Sequence, residues 1–208
     1  MERPLAKGKK TRLRPLLRED VDTMLRWGRH TDPLLAGYNM PRLDRRGADE
    51  WYRVRTNRPD FRIFAVLDRA ATVVGRLSIR EIDNHLRRAR LGIVLDPSLV
   101  DQGLGTDAIT AFQEFYFEHL RFETLVLDVA AYNLRARRCY EKCGFRYTGE
   151  HWQREEGLGE GVGFSLFTDD RFREVRRFFR QTRAGLEVLY CDMEVTREEH
   201  RTRAAPQQ

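Results

Sequence analysis

The chain has 208 residues, 41% hydrophobic and 34% charged, enough to bury one full core and too ordered in composition for a fibrous or disordered class. Its formal charge of +6 comes almost wholly from arginine, a balance that suits a polyanionic ligand, although solvated arginine faces give the same total. No apolar run approaches the ~20 residues of a bilayer span, and MERPLAKGKK lacks the apolar core of a secretory signal, so a cytoplasmic chain without membrane contact is expected.

TRLRPL (11–16) alternates as a strand does, and REDVDTMLRWGRH after it opens acidic and carries Val21, Met24 and Leu25 at helical spacing. A looser stretch with Gly37, Pro41 and Gly47 leads to a second helix near 48–56, with Trp51, Tyr52 and Val54 as its apolar members. FRIFAVLD (61–68), TVVGRLSIREI (72–82) and RRARLGIVL (87–95) are β-rich runs with short polar connections, the pattern of an antiparallel meander.

DQGLGTDAIT (101–110) then sets two glycines one residue apart at a helix start. Glycine admits positive φ and close approach, and a helix N-terminus offers unpaired N–H groups to an anion. A phosphate cradle is one reading and a plain glycine turn the other. Leu104, Ala108, Ala111, Phe112, Phe115 and Tyr116 continue a helix over 104–119, followed by the buried-looking strand FETLVLDVA (122–130).

NLRARRCYEKCGF (133–145) is helical again, with Ala136, Cys139, Tyr140 and Cys143 on one face and Gly144 as its stop. A strand near 145–153 follows. TDDRFREVRRFFRQTR (168–183) reads as an amphipathic helix with Phe172, Val175, Phe178 and Phe179 as its stripe. LEVLYCDMEV (186–195) is the final strand, and 197–208 reads as a flexible tail. Three cysteines without paired spacing are expected as reduced thiols, and the scattered histidines supply too few neighbours for a metal.

Two of these stretches together resemble the GNAT acetyltransferase superfamily, most of all its branch of ribosomal-protein N-terminal alanine and spermidine acetyltransferases. LDPSLVDQGLGTDAI is similar to its pyrophosphate loop, Gln/Arg-x-x-Gly-x-Gly/Ala, and NLRARRCYEKCGF to its Asn-x-x-Ala-x-x-x-Tyr helix ending in Gly-Phe. The resemblance runs from about Leu13 to Gln153 and resumes at Leu186. Val100 stands where the pattern has Gln or Arg, and Gln102 where lysine is frequent, which leaves more of the phosphate binding to backbone donors. A dinucleotide site is disfavoured because a third glycine in register is missing.

The resemblance implies a single α/β (α+β) domain over 1–208, with a mostly antiparallel sheet of about seven strands. It implies acetyl-CoA as co-substrate, and direct transfer in a ternary complex to a primary amine, a small molecule or a protein N-terminus. Gln102, Gly103, Leu104, Gly105 and Thr106 would wrap the pyrophosphate, Asn133 would bond the pantetheine arm, and Lys142, near Arg135 and Arg138, would meet the adenosine phosphates. Backbone N–H groups of Ile93, Val94 and Leu95 would polarise the thioester, and Tyr140 would protonate the departing thiolate.

Arg90 occupies a position where many relatives carry an acid, which leaves Glu81, Asp83 and Glu150 as carboxylate bases, with Glu81 the choice; a water chain is the alternative. The stretch 157–185 is longer than the family needs before the last strand and is expected as an insertion walling the acceptor site. Gly157, Gly159, Gly161 and Gly163 would hinge it, and Glu155, Glu156 and Glu160 would draw a cationic amine; a packed appendage is the competing account. A non-catalytic acetyl-CoA sensor or nucleic-acid-associated module is the other class of function, with nucleic acid not expected as a partner and a homodimer left open.

Overall fold

The structure, a computed structural model, describes residues 4–155, 158 and 162–204. In chain order its elements are β1 (Ala6–Lys7), β2 (Arg12–Pro15), α1 (Arg18–Met24), a 3-10 helix (Pro33–Tyr38), α2 (Arg45–Thr56), β3 (Phe61–Leu67), β4 (Val73–Asp83) and β5 (Arg88–Leu95). Then come α3 (Leu104–Glu114), β6 (Thr124–Ala130), α4 (Leu134–Lys142), β7 (Arg146–Arg154), α5 (Val162–Thr168), β8 (Phe179–Thr182), β9 (Gly185–Thr196) and α6 (Arg197–Ala204). The strands form one open sheet in the order β1–β2–β3–β4–β5–β6–β9–β7, with β8 paired to β9. Every pairing is antiparallel except β5 with β6.

Period-two alternation sends successive side chains of β3 to opposite faces, and both faces are covered. Ile63, Ala65 and Leu67 meet Val21 and Met24 of α1 and Ala48 and Trp51 of α2. Phe64 and Val66 meet Ala108 and Phe112 of α3 and Tyr140 of α4. Asp44 caps α2 by accepting from Gly47 N, and Asn133 caps α4 by accepting from Ala136 N, each worth ~1 kcal/mol. Helix α3 ends in a π turn, Phe115–His119, whose Tyr116 and Phe117 are fully buried.

The meander, the strand–loop–helix–strand unit and the last strand lie where the sequence puts them, and three features differ. The sheet has nine strands rather than about seven, because the two-residue β1 and the four-residue β8 add short edge pairings. The helix expected over 168–183 does not form. In its place are 3-10 turns at Asp170–Phe172 and Arg176–Phe178, after which Phe179 pairs with Val188 in the sheet. Phe172, Val175 and Phe178 stand three apart, a spacing that fits a 3-10 turn as well as a helix. Arg176 holds the turns by donating to Leu166 O at 2.8 Å.

The third difference is the tail, which is helical as α6 to Ala204. Thr196 and Glu199 make a reciprocal capping box, Glu199 N to Thr196 Oγ1 at 3.2 Å and Thr196 N to Glu199 Oε2 at 2.8 Å. His200 is buried against Phe117 with ring centroids 5.2 Å apart, and its Nε2 meets Glu114 at 3.1 Å. Residues 205–208 lie outside the described residues, as do Gly157, Gly159 and Gly161 of the expected hinge and Glu156 and Glu160. Among the described residues no helix is long and apolar enough to cross a membrane.

Candidate active site

β5 and β6 share register at three positions, Arg88 with Thr124, Ala89 with Leu125 and Arg90 with Val126. Beyond Arg90 they part. Leu91–Leu95 keeps its ladder with β4 but has none across the gap, and β6 stays with β9 as far as Ala130 opposite Tyr190. The edge of β5 that faces the gap therefore has no strand to satisfy it. A cavity of about 780 Å³ fills the opening, with Ile93, Val94 and Leu95 on its wall.

One end of the cavity is the glycine loop. Gly103 has φ 76°, the left-handed conformation that glycine takes without a Cβ penalty, and caps α3. The first intrahelical bond runs from Asp107 N to Gly103 O at 3.1 Å, so the amides of Leu104, Gly105 and Thr106 precede the ladder at the positive end of the helix dipole. Gly103, Leu104, Gly105 and Thr106 all line the cavity, as do Asn133 and Lys142. Gln102 does not; its carbonyl accepts from Lys10 Nζ at 2.8 Å, which fixes the loop from behind.

Tyr140 lines the cavity between the parted strands and is 9% exposed. Burial raises its hydroxyl above the usual phenol range, with the charge of Asp128 adding to it, so the group stays protonated at neutral pH. Asn133 Oδ1 caps α4 at 3.1 Å, and the same side chain meets the Tyr38 hydroxyl. Cys139, one residue before Tyr140, also lines the cavity and meets Thr106 Oγ1 at 3.3 Å. Cys143 chiefly, then Thr106 and the charges of Lys142 and Arg135, pull its thiol down; the three cysteines are free thiols.

Glu81 is not brought to this cavity. It sits with φ 53° where β4 slips register against β5, which turns it outward, and its Oε2 accepts from Arg90 Nε at 2.8 Å with the side chain 60% exposed. Two described carboxylates line the cavity, Asp101, which pairs with Arg135, and Asp128, whose Oδ1 receives Arg80 and Arg90, each at 2.9 Å. The floor above it is open because β5 has Gly92 there. A Cβ at that position would stand 3.1 Å from Ser78 Oγ and 3.3 Å from Arg80 Nη1.

A second cavity of about 410 Å³ shares Tyr38, Gln153 and Tyr190 with the first and adds Leu34, Gly37, Tyr132 and the oppositely charged neighbours Arg154 and Glu155. Burial raises the hydroxyls of Tyr38, Tyr132 and Tyr190, and the charge of Glu155 adds to each. Tyr132 donates to Leu34 O at 2.9 Å and is backed by Phe179, ring centroids 5.2 Å apart and 17° from parallel. Among the described residues the stretch 157–185 buries Val162, Leu166, Phe172 and Phe179 behind this pocket and does not line it. Asp128, the three tyrosines and Gln153 escaped the sequence reading. An aspartate inside the apolar run TLVLDVA was the available signal, since a carboxylate in a buried strand needs cationic partners.

The parted β5–β6 pair, the glycine loop opening α3 and Tyr140 between them thus bound a single cavity. Residues 10–146 match the family model for the acetyltransferase (GNAT) domain, and the chain belongs to that family. It is 27% identical over 118 residues to spermidine N(1)-acetyltransferase of Vibrio cholerae, covering 57% of this chain and 62% of that protein. It is 37% identical over 71 residues to a kanamycin resistance protein of Rhizobium radiobacter, covering 34% of this chain and 58% of that one. The chain thus spans less than two thirds of the length of these relatives. The fold is similar to the crystal structure of spermidine N-acetyltransferase from Vibrio cholerae in complex with CoA and spermine, with TM-score 0.67 and 20% identity over 91% of this chain and 97% of that one.

Proposed function

We propose that the chain moves the acetyl group of acetyl-CoA to a primary amine by direct transfer in a ternary complex. The observation that carries this reading is Tyr140, protonated and buried where β5 and β6 part, with the glycine loop at one end of the same cavity. The amides of Leu104, Gly105 and Thr106 hold the pyrophosphate, Asn133 and the free edge of β5 hold the pantetheine arm and thioester, and Lys142 meets the adenosine phosphates. Tyr140 gives its proton to the departing thiolate.

The acceptor enters from the second cavity. An ammonium group is drawn by Glu155 and by the faces of Tyr38, Tyr132 and Tyr190, which favour a cation with an apolar body. An α-amino group, near pKa 8, loses its proton about 3.4 kcal/mol more readily than an alkyl amine near 10.4. Asp128 has Oδ2 available to orient the amine, and the proton leaves through water. A spermidine-type acceptor, as in the Vibrio cholerae relative, and a protein N-terminus both satisfy this chemistry.

Coenzyme A release followed by thiol titration across an amine panel tests the reading, with Tyr140→Phe as the control. The variant should lose ~100-fold in kcat while coenzyme affinity and melting temperature hold. Wild-type turnover in Tyr140→Phe, or coenzyme binding without transfer to any amine, refutes it.

A further inference from the structure

Arg76 is a cavity-wall cation that the chemistry above does not use. Arg76, Ser78 and Arg80 alternate onto one face of β4 and all line the large cavity. Arg76 and Ser78 pair across with Ala65 and Ile63 of β3, so they lie on the sheet face that packs on α1 and α2. Arg80 is paired with Asp128 at 2.9 Å and with Glu81 at 3.6 Å. Arg76 is not: among the described residues it makes no hydrogen bond or ion pair, and its Nε is shielded from solvent. Its neighbours are the Trp51 ring, 5.6 Å from the guanidinium carbon, and a like charge, Arg55. Burial and Arg55 pull Arg76 down to about 10, which still leaves it cationic at neutral pH.

A half-buried guanidinium with a shielded Nε and no counterion costs stability, and its donors match a planar or tetrahedral anion. The coenzyme phosphates already have a site at the glycine loop. That loop opens α3, which covers the other face of the sheet. Buried Ser78 adds a hydroxyl two residues along, free of any partner among the described residues. We propose that Arg76 and the Ser78 hydroxyl bind a carboxylate or phosphate carried by the acceptor amine itself. The acceptor is then an amine with an anionic group several bonds away: β4 advances ~3.3 Å per residue, which sets Arg76 ~13 Å along the strand from Arg80, where Asp128 is held.

This inference rests on the acetyl-transfer reading and refines its substrate class. The test compares butylamine, 4-aminobutyrate and 6-aminohexanoate as acceptors for wild type, Arg76→Met and Arg76→Lys, with coenzyme A affinity and melting temperature measured alongside. In wild type, kcat/KM for at least one amino acid exceeds that for butylamine by tenfold or more. Arg76→Met removes that preference, Arg76→Lys restores most of it, and coenzyme A affinity stays within about twofold.

Equal losses on charged and uncharged acceptors overturn the proposal. A weakened coenzyme A affinity in Arg76→Met also overturns it and assigns the anion to the coenzyme. Calorimetric titration of the same amines into coenzyme-loaded protein reads the preference without turnover. If none of them is acetylated, the Arg76→Met titration still decides the anion site, and the transfer reading is decided separately by the amine panel above.

Discussion

Asp107, in the first turn of α3, is one carboxylate gathering four donors. Lys9 N and Lys10 N reach it at 2.9 Å, Thr11 N at 2.8 Å and Thr11 Oγ1 at 2.7 Å. It fastens the β1–β2 turn to the helix that begins at the glycine loop, and Lys10 Nζ carries the tie to Gln102 O. Replacement by alanine strands three backbone N–H groups. Each bond to a charged acceptor is worth ~1.5–3 kcal/mol, but the turn is half-exposed and water recovers part, so Asp107→Ala costs about 2–4 kcal/mol. For a chain of this length that is a fall in Tm of about 5–15 °C. Coenzyme affinity drops severalfold because the loop loses its support.

The charge is separated from the shape by Asp107→Asn and pH. Burial pushes the Asp107 carboxyl up, but the Thr11 hydroxyl and the three amides outweigh it and hold it below the usual carboxylate range. A carboxyl depressed by folding stabilises fully above its unfolded value near pH 4 and loses that contribution as pH falls through the folded value. Urea unfolding from neutral pH down to about pH 3 should show the wild-type advantage over Asp107→Asn shrinking with acid. A constant gap, or an alanine variant that melts with wild type, refutes the reasoning.

Gly103→Asp places a Cβ in a left-handed conformation and an anion beside the proposed pyrophosphate site; calorimetry should show acetyl-CoA affinity falling at least tenfold, and unchanged affinity in a folded variant removes the loop from the coenzyme site. Deleting 197–208 uncovers Phe117 and leaves the buried Gln113 without Arg203, whose Nη2 donates to its Oε1 at 3.0 Å; equilibrium unfolding should show a loss of about 2–4 kcal/mol, against none for a dispensable tail.

Periodicity carried the fold because both faces of β3 and β4 are buried and α1 to α4 each present one apolar stripe. It failed where two structures share a spacing. The Phe172, Val175, Phe178 series fits three residues per turn and 3.6 alike, and the β8–β9 pairing that decides between them joins residues across a turn. The α6 start was legible, since TREE is a capping-box signature, yet the polar run beyond it masked a single buried histidine. The glycine loop was legible because glycines and a helix start are local chemistry. The second cavity was not, because Tyr38, Tyr132, Glu155 and Tyr190 come from four separate segments and meet only after β6, β7 and β9 align.

That assembly gives the 157–185 stretch its part. Val188 of β9 pairs with Gln153 of β7 on one edge and Phe179 of β8 on the other, so β8 continues the edge that β6 leaves at Ala130. Phe179 is thereby set behind Tyr132, 5% exposed, and holds the ring whose hydroxyl is tied to Leu34 O beside the second cavity. The described residues of the stretch thus meet the second cavity through Tyr132 and do not line it. Phe179→Ala removes the backing ring at a cost of about 3–4 kcal/mol, and Phe179→Leu, which keeps apolar volume, costs less. If Tyr132 positions the acceptor, Phe179→Leu at a temperature where it is fully folded raises acceptor KM severalfold and leaves acetyl-CoA affinity and kcat near wild type. A leucine variant with wild-type acceptor KM makes the stretch a packed appendage, and one that loses coenzyme affinity instead places its effect across the β5–β6 cleft.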